Sequence, residues 1–87
     1  MVRVFVMRYN KGKLPPDEIT GEMKEDIVKK VEDLLKEYPD VKFNGLWVNE
    51  DGIGICDWEA PDVDTVKRIV EAVGSPYDDI VEVKKVL

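Results

Sequence analysis

The amino-acid sequence predicts an α+β fold in which a four-stranded antiparallel sheet carries two helices on one face, and three observations predict it. Hydrophobic periodicity switches between two and 3.6 residues in the order strand, helix, strand, strand, helix, strand. The two middle strands flank Asp51-Gly52, the preferred centre of a two-residue hairpin turn. The second helix has a clear start at Asp62 and a clear stop at Gly74. With 87 residues there is room for one domain, spanning 1–87, that buries only roughly 60 to 65% of the surface its unfolded chain exposes.

Residues 2–9 alternate, with Val2, Val4 and Val6 on one face and Arg3, Phe5, Met7 and Tyr9 on the other. Both faces carry apolar side chains, which predicts a central strand covered on two sides. Residues 10–16 contain Gly12, Pro15 and Pro16 and read as a loop. From residue 17 to about residue 38, Ile19, Met23, Ile27, Val31, Leu34 and Tyr38 recur every three or four positions and form one stripe along a helix. Gly21 weakens the first turn, so Thr20 is an alternative start, and Pro39 ends the helix. Glu25 with Lys29, Asp26 with Lys30 and Glu32 with Lys36 are i,i+4 pairs that suit a solvated face.

Residues 41–49 and 53–59 form the second and third strands. With a two-residue turn, Glu50 pairs with Ile53, Val48 sits opposite Ile55, and Trp47 sits opposite Cys56. That register puts Leu46, Val48, Ile53 and Ile55 on one face and Phe43, Trp47, Cys56 and Trp58 on the other; a loop one residue longer would flip it. Asp62 caps a helix over 63–73 whose stripe is Val63, Val66, Ile69, Val70 and Val73, with Asp64 in its first turn. Residues 79–87 supply a last strand. With right-handed crossovers this order is the ferredoxin-like βαββαβ arrangement, both helices on a single face.

The uncovered face then displays Phe5, Met7, Tyr9, Phe43, Trp47, Cys56 and Trp58. So much aromatic surface is unusual on a monomer. A second copy packed sheet to sheet would cover it, as in dimeric α/β barrels, and a pocket enclosed between the sheets would make the same residues contacts for a small molecule.

Composition narrows the partners. Nineteen acidic against thirteen basic residues give a net charge of −6, with the bases interleaved among the acids, so neither nucleic acid nor an anionic membrane is expected as a partner. No apolar run approaches the ~18 residues of a membrane span and residues 1–9 do not form a signal peptide, so the expectation is a soluble, cytoplasmic protein. The single cysteine forms no internal disulfide. Charged residues at 37%, with no Gln or His, lean toward a thermophilic source.

Asp57 and Glu59 alternate along the third strand, and Asp62 and Asp64 follow at the head of the second helix. These carboxylates are the candidates for a cation site or for acid-base work, against the simpler assignment of helix capping and ion pairing. Asp57, in phase with Ile53 and Ile55, is expected to point toward the helices, at a solvated rim or beside a partner such as Arg8. Arg8 is the candidate contact for an anionic ligand near the edge of the aromatic face, and Tyr9 lies beside it. Cys56 has no nearby base to make a thiolate and reads as a small hydrophobe. Asn49-Glu50-Asp51-Gly52 lacks the spacing of a calcium loop and reads as a turn.

Cys56-Asp57-Trp58-Glu59-Ala60-Pro61-Asp62, the following helix, Gly74-Ser75-Pro76 and the closing Ile80-Val81-Glu82-Val83 resemble a family of small uncharacterised bacterial and archaeal proteins that includes an actinobacterial nickel-binding protein. The similarity is clearest over residues 53–87. It implies a ferredoxin-like fold, dimerisation and divalent-metal binding. Nickel is best served by imidazole and thiolate, yet this chain has no histidine and one cysteine, so any ion falls to Asp57, Glu59 and Asp62, a donor set that favours Mg²⁺ or Ca²⁺.

The reading these residues support is a homodimer that binds a small ligand or a divalent metal ion at or near the subunit interface, without demonstrated catalysis. Two alternatives belong to other classes. One is a cofactor-free enzyme resembling the dimeric α/β-barrel monooxygenases and isomerases, with Glu59, Arg8 or Tyr9 assisting proton transfer. The other is a structural or assembly module.

Overall fold

The computed structural model describes residues 1–13 and 15–87; Leu14, within the expected loop 10–16, lies outside the described residues. The elements are β1 (Val2–Arg8), a 3-10 turn (Pro16–Glu18), α1 (Gly21–Leu35), β2 (Lys42–Val48), β3 (Gly54–Ala60), α2 (Val63–Val73) and β4 (Asp79–Val83). The strands lie in the order β2-β3-β1-β4 with every neighbouring pair antiparallel, which is the ferredoxin-like arrangement.

Helix α2 is set at both ends by its own residues. Asp62 Oδ1 accepts the Thr65 backbone N–H at 2.8 Å and the Thr65 hydroxyl at 2.7 Å. At the other end Gly74 adopts the left-handed conformation at φ 77°, Ser75 N–H reaches Val70 O at 3.3 Å, and Gly74 N–H reaches Glu71 O at 3.1 Å. These two bonds answer carbonyls of the last turn. Val66, Ile69 and Val70 of this helix are buried against Val4, Val6, Trp58 and Ala60 of the sheet.

Helix α1 starts later than its apolar stripe suggests. The Thr20 hydroxyl caps it by accepting Met23 N–H at 3.1 Å, and residues 16–18 form the 3-10 turn instead. Only Val31 of α1 is buried, while Ile27, Leu34 and Leu35 are half-buried. Strand β4 is shorter than the expected 79–87. Val83 pairs with Arg3, one residue from the start of β1, so the chain beyond soon runs out of neighbour and Val86 and Leu87 are exposed.

Two local features of the β2–β3 hairpin correct the expected faces. Asn49 N–H bonds to Ile53 O and Gly52 N–H bonds to Asn49 O, each at 3.0 Å, with Gly52 at φ 83°. The loop is therefore Glu50-Asp51-Gly52, a three-residue connection with glycine in the left-handed position, and not a two-residue turn. The extra residue moves the register by one, to Trp47 opposite Ile55 and Leu46 opposite Cys56. Cys56 and Trp58 consequently lie under the helices, and Ile53, Ile55, Asp57 and Glu59 take the open face. A bulge between Phe43 and Gly45 then turns Phe43 inward as well, opposite Trp58, with ring centroids 4.7 Å apart. The open face keeps Phe5, Met7, Tyr9 and Trp47 and gains Ile53, Ile55 and Val81.

Candidate functional site

Arg8 shares the strand phase of Val2, Val4 and Val6, so the sheet that buries those valines also turns Arg8 inward. It is only 9% exposed. Its Nε donates to Pro76 O at 2.8 Å, Nη2 to Ser75 Oγ at 2.8 Å, and Nη1 to Cys56 Sγ at 2.9 Å. These bonds use three of the five guanidinium N–H donors. None of the ion pairs among the described residues involves Arg8. The Pro76 carbonyl and the nearby C-terminal end of α2 face it with dipoles, not with a counter-charge.

Beside the guanidinium is a cavity of about 130 Å³. It lies between helix α1, which supplies Ile27 and Val31, and the covered face of the sheet, which supplies Phe43, Leu46 and Val48, with Val70 of α2 closing one side. Gly54 belongs to the same wall, and a Cβ there would meet Val48 Cγ1 at 3.1 Å, so the missing side chain helps keep the space open. Arg8 is the one charged residue of the lining. Trp58, 3% exposed, also lines it, and its Nε1–H is buried without an acceptor among the described residues.

Cys56 completes this polar corner. Burial pushes its thiol up, the charge and hydrogen bond of Arg8 pull it down, and burial prevails. The sulfur is therefore a neutral thiol at neutral pH that accepts from Arg8, a poor nucleophile.

The open face holds a different set of groups. Asp57 Oδ1 pairs with Arg3 Nε at 3.1 Å and accepts Asn44 Nδ2 at 3.3 Å. Its partner is thus Arg3, and its side is away from the helices, because the register shift moved the whole phase of β3. Glu59 lies opposite both Arg3 and Lys42. The Tyr9 hydroxyl donates to Asp79 Oδ2 at 2.6 Å, a bond that raises its pKa. Asp62 is committed to the α2 cap, where the Thr65 hydroxyl and backbone N–H hold its carboxyl below the usual range.

The sequence-predicted sites are therefore only partly brought together. Arg8, Cys56, Phe43 and Trp58 share one cavity, but it is inside the protomer and not on the open face. Asp57, Glu59 and Asp62 do not converge, and no group of three His, Cys, Asp or Glu suited to a metal ion occurs among the described residues. Arg8, Tyr9 and Glu59 are also separated: Arg8 points inward, and Tyr9 and Glu59 belong to opposite ends of the open face, on the order of 20 Å apart at the strand rise of ~3.3 Å per residue. Ser75 was not legible as a site residue. The signal for Arg8 was available, in its phase with three valines.

The profile of a family described as "Nickel responsive protein SCO4226-like" matches residues 8–83. Among solved structures the chain is similar to the crystal structure of SCO4226 from Streptomyces coelicolor A3(2), with 21% identity and a TM-score of 0.72, covering 98% of this chain and 99% of that one. That likeness bears on the fold alone. No curated protein matches the chain significantly.

Proposed function

The chain belongs to the SCO4226-like family of nickel-responsive proteins, and on that premise we propose that it is a homodimer that binds a small molecule. Two copies meet through their open sheet faces, and each protomer takes its ligand into the cavity beside Arg8. The observation that carries this reading is the cavity itself, with largely apolar walls, one nine-tenths-buried cation and a second buried donor. An apolar pocket with a few convergent polar groups is the usual form of a small-molecule site.

The open face supports the dimer. Trp47 is 67% exposed at one edge of it, and Ile53, Tyr9 and Val81, spread over the other strands and their ends, are 37 to 39% exposed. The molecule measures 34 × 31 × 21 Å, so its broad face is on the order of 1,000 Å², enough for the ~800 Å² per partner that stable interfaces bury. Arg3 and Lys42 lie on this face beside Asp57 and Glu59, which allows opposite charges to meet across a two-fold axis.

Nickel does not fit the residues of one chain. No histidine is present, and the one thiol is buried, neutral and bonded to a guanidinium. A hard divalent ion would have to draw on Asp57 and Glu59 of two facing copies, which is the form of metal binding these residues support.

Sedimentation equilibrium together with thermal melts against a panel of small organic acids, amides and alcohols tests the proposal. A species of twice the 10.0 kDa chain mass, stabilised by at least one compound as RT ln(1 + [L]/Kd), is expected. A monomer indifferent to the whole panel contradicts it.

A further inference from the structure

We propose that the ligand of this cavity is a small monocarboxylate with an apolar body, its carboxylate seated on Arg8. The inference rests on the cavity reading above and assigns the chemical class. Arg8 is the one charged lining residue, and two of its five N–H donors are left after those to Pro76, Ser75 and Cys56. The groups it does bond are neutral: a carbonyl, a hydroxyl and a thiol. A buried cation whose partners are all neutral, with two N–H donors left, meets dipoles but no counter-charge, and an incoming anion gains in proportion to the low local dielectric. The planar guanidinium fork matches a carboxylate in two parallel bonds.

The same lining limits the charge and size of the ligand. With one cation in the wall, a second negative charge on the ligand would be buried unpaired, which disfavours a phosphate dianion. Ile27, Val31, Phe43, Leu46 and Val70 offer only apolar surface to the rest of the molecule. A cavity of about 130 Å³ is slightly smaller than the ~150 Å³ apolar cavity known to hold benzene, so the whole ligand, carboxylate included, has about six or seven heavy atoms and its apolar body about three or four carbons. Trp58 stands four residues from Gly54 along β3, where Gly54 is opposite Arg8. Trp58 lines the cavity and its indole N–H is buried without an acceptor among the described residues, which makes that N–H a reporter for the site.

The competing assignment is that Arg8 only ties the end of α2 to the sheet, with the cavity filled by water. The two are separated by titrating the wild-type protein at pH 7 with butanoate and 3-methylbutanoate, and in parallel with butanamide and 3-methylbutanamide, which have the same shape and no charge. Binding is followed by calorimetry and by the two indole N–H signals in ¹H–¹⁵N spectra, assigned with Trp47→Phe. The expected result is saturable carboxylate binding that moves the Trp58 signal and leaves that of Trp47, at least tenfold tighter than the amide, with the preference lost in Arg8→Gln. Should Arg8→Gln fail to fold, the acid–amide comparison in the wild type decides alone. Amides binding as tightly as acids overturn the carboxylate assignment and leave the cavity as a ligand site. No response to any of the four compounds overturns both and leaves a water-filled space.

Discussion

The guanidinium of Arg8 donates to the sulfur of Cys56 at 2.9 Å, joining two neighbouring strands on the face the helices cover. The same side chain reaches Ser75 and Pro76, so one residue links β1, β3 and the connection from α2 to β4. Removing it leaves a part-buried hydroxyl and carbonyl without their donor. Arg8→Leu is expected to lower stability by about 2–4 kcal/mol, and Arg8→Lys by less, because a lysine recovers a donor but not the fork. Urea denaturation followed by circular dichroism measures both, and an Arg8→Leu variant as stable as the wild type would remove this role.

Cys56 should alkylate slowly. Its thiol is pushed up by burial against the pull of Arg8, so thiolate is scarce and the reagent has little access. Iodoacetamide at pH 8 is expected to modify the native protein markedly more slowly than the urea-unfolded chain. Equal rates would mean that Cys56 is open to solvent.

Acid should loosen the turn after β1. Asp78 Oδ2 accepts the backbone N–H groups of Tyr9, Asn10 and Lys11 at 2.8, 2.9 and 3.0 Å. Burial tends to raise the Asp78 carboxyl, but these three donors and the Lys11 charge outweigh it and hold it below its ordinary value of 3.8. A depressed folded-state pKa contributes stability that is complete above the unfolded value, near 3.9, and is lost as pH falls through the folded one. The melting temperature of Asp78→Asn should lie below that of the wild type at pH 7, with the gap closing as pH drops below about 4. A gap that does not change with pH would assign the effect to shape and not to charge.

Much of this architecture was legible because its signals were local. Asp62 and Gly74 mark the ends of α2, and Val2, Val4 and Val6 mark the covered face of β1, each from side chain and spacing alone. The faces of β3 were not legible, because Cys56 and Trp58 on one phase and Ile53 and Ile55 on the other are both apolar, and Asp51-Gly52 suits a three-residue loop as well as a two-residue turn. One residue of loop length then decided which phase was buried. The charges were the better guide: Asp57 and Glu59 share a phase with Ile55, and two carboxylates on one side argue that this side faces water or a partner. The bulge at Phe43 carried no comparable signal, and the cavity depends on how far α1 stands from the sheet, which no short stretch of sequence encodes.

Nickel should be a poor ligand for this member of the family. With no histidine, with its thiol buried, and with Asp57 paired to Arg3 and Asp62 to the α2 cap, the chain offers no open set of donors for a borderline ion. Millimolar Ni²⁺ is expected to leave the melting temperature unchanged. A saturable rise with one equivalent per protomer would show that the donor set was wrongly read.

Native mass spectrometry of the freshly purified protein tests the central claim most directly, since it weighs subunits and retained molecules together. The expected spectrum is a species of twice the 10.0 kDa chain mass that carries up to two copies of a small organic molecule and no nickel. A bare 10.0 kDa chain at micromolar concentration, with no dimer and no added mass, would contradict it.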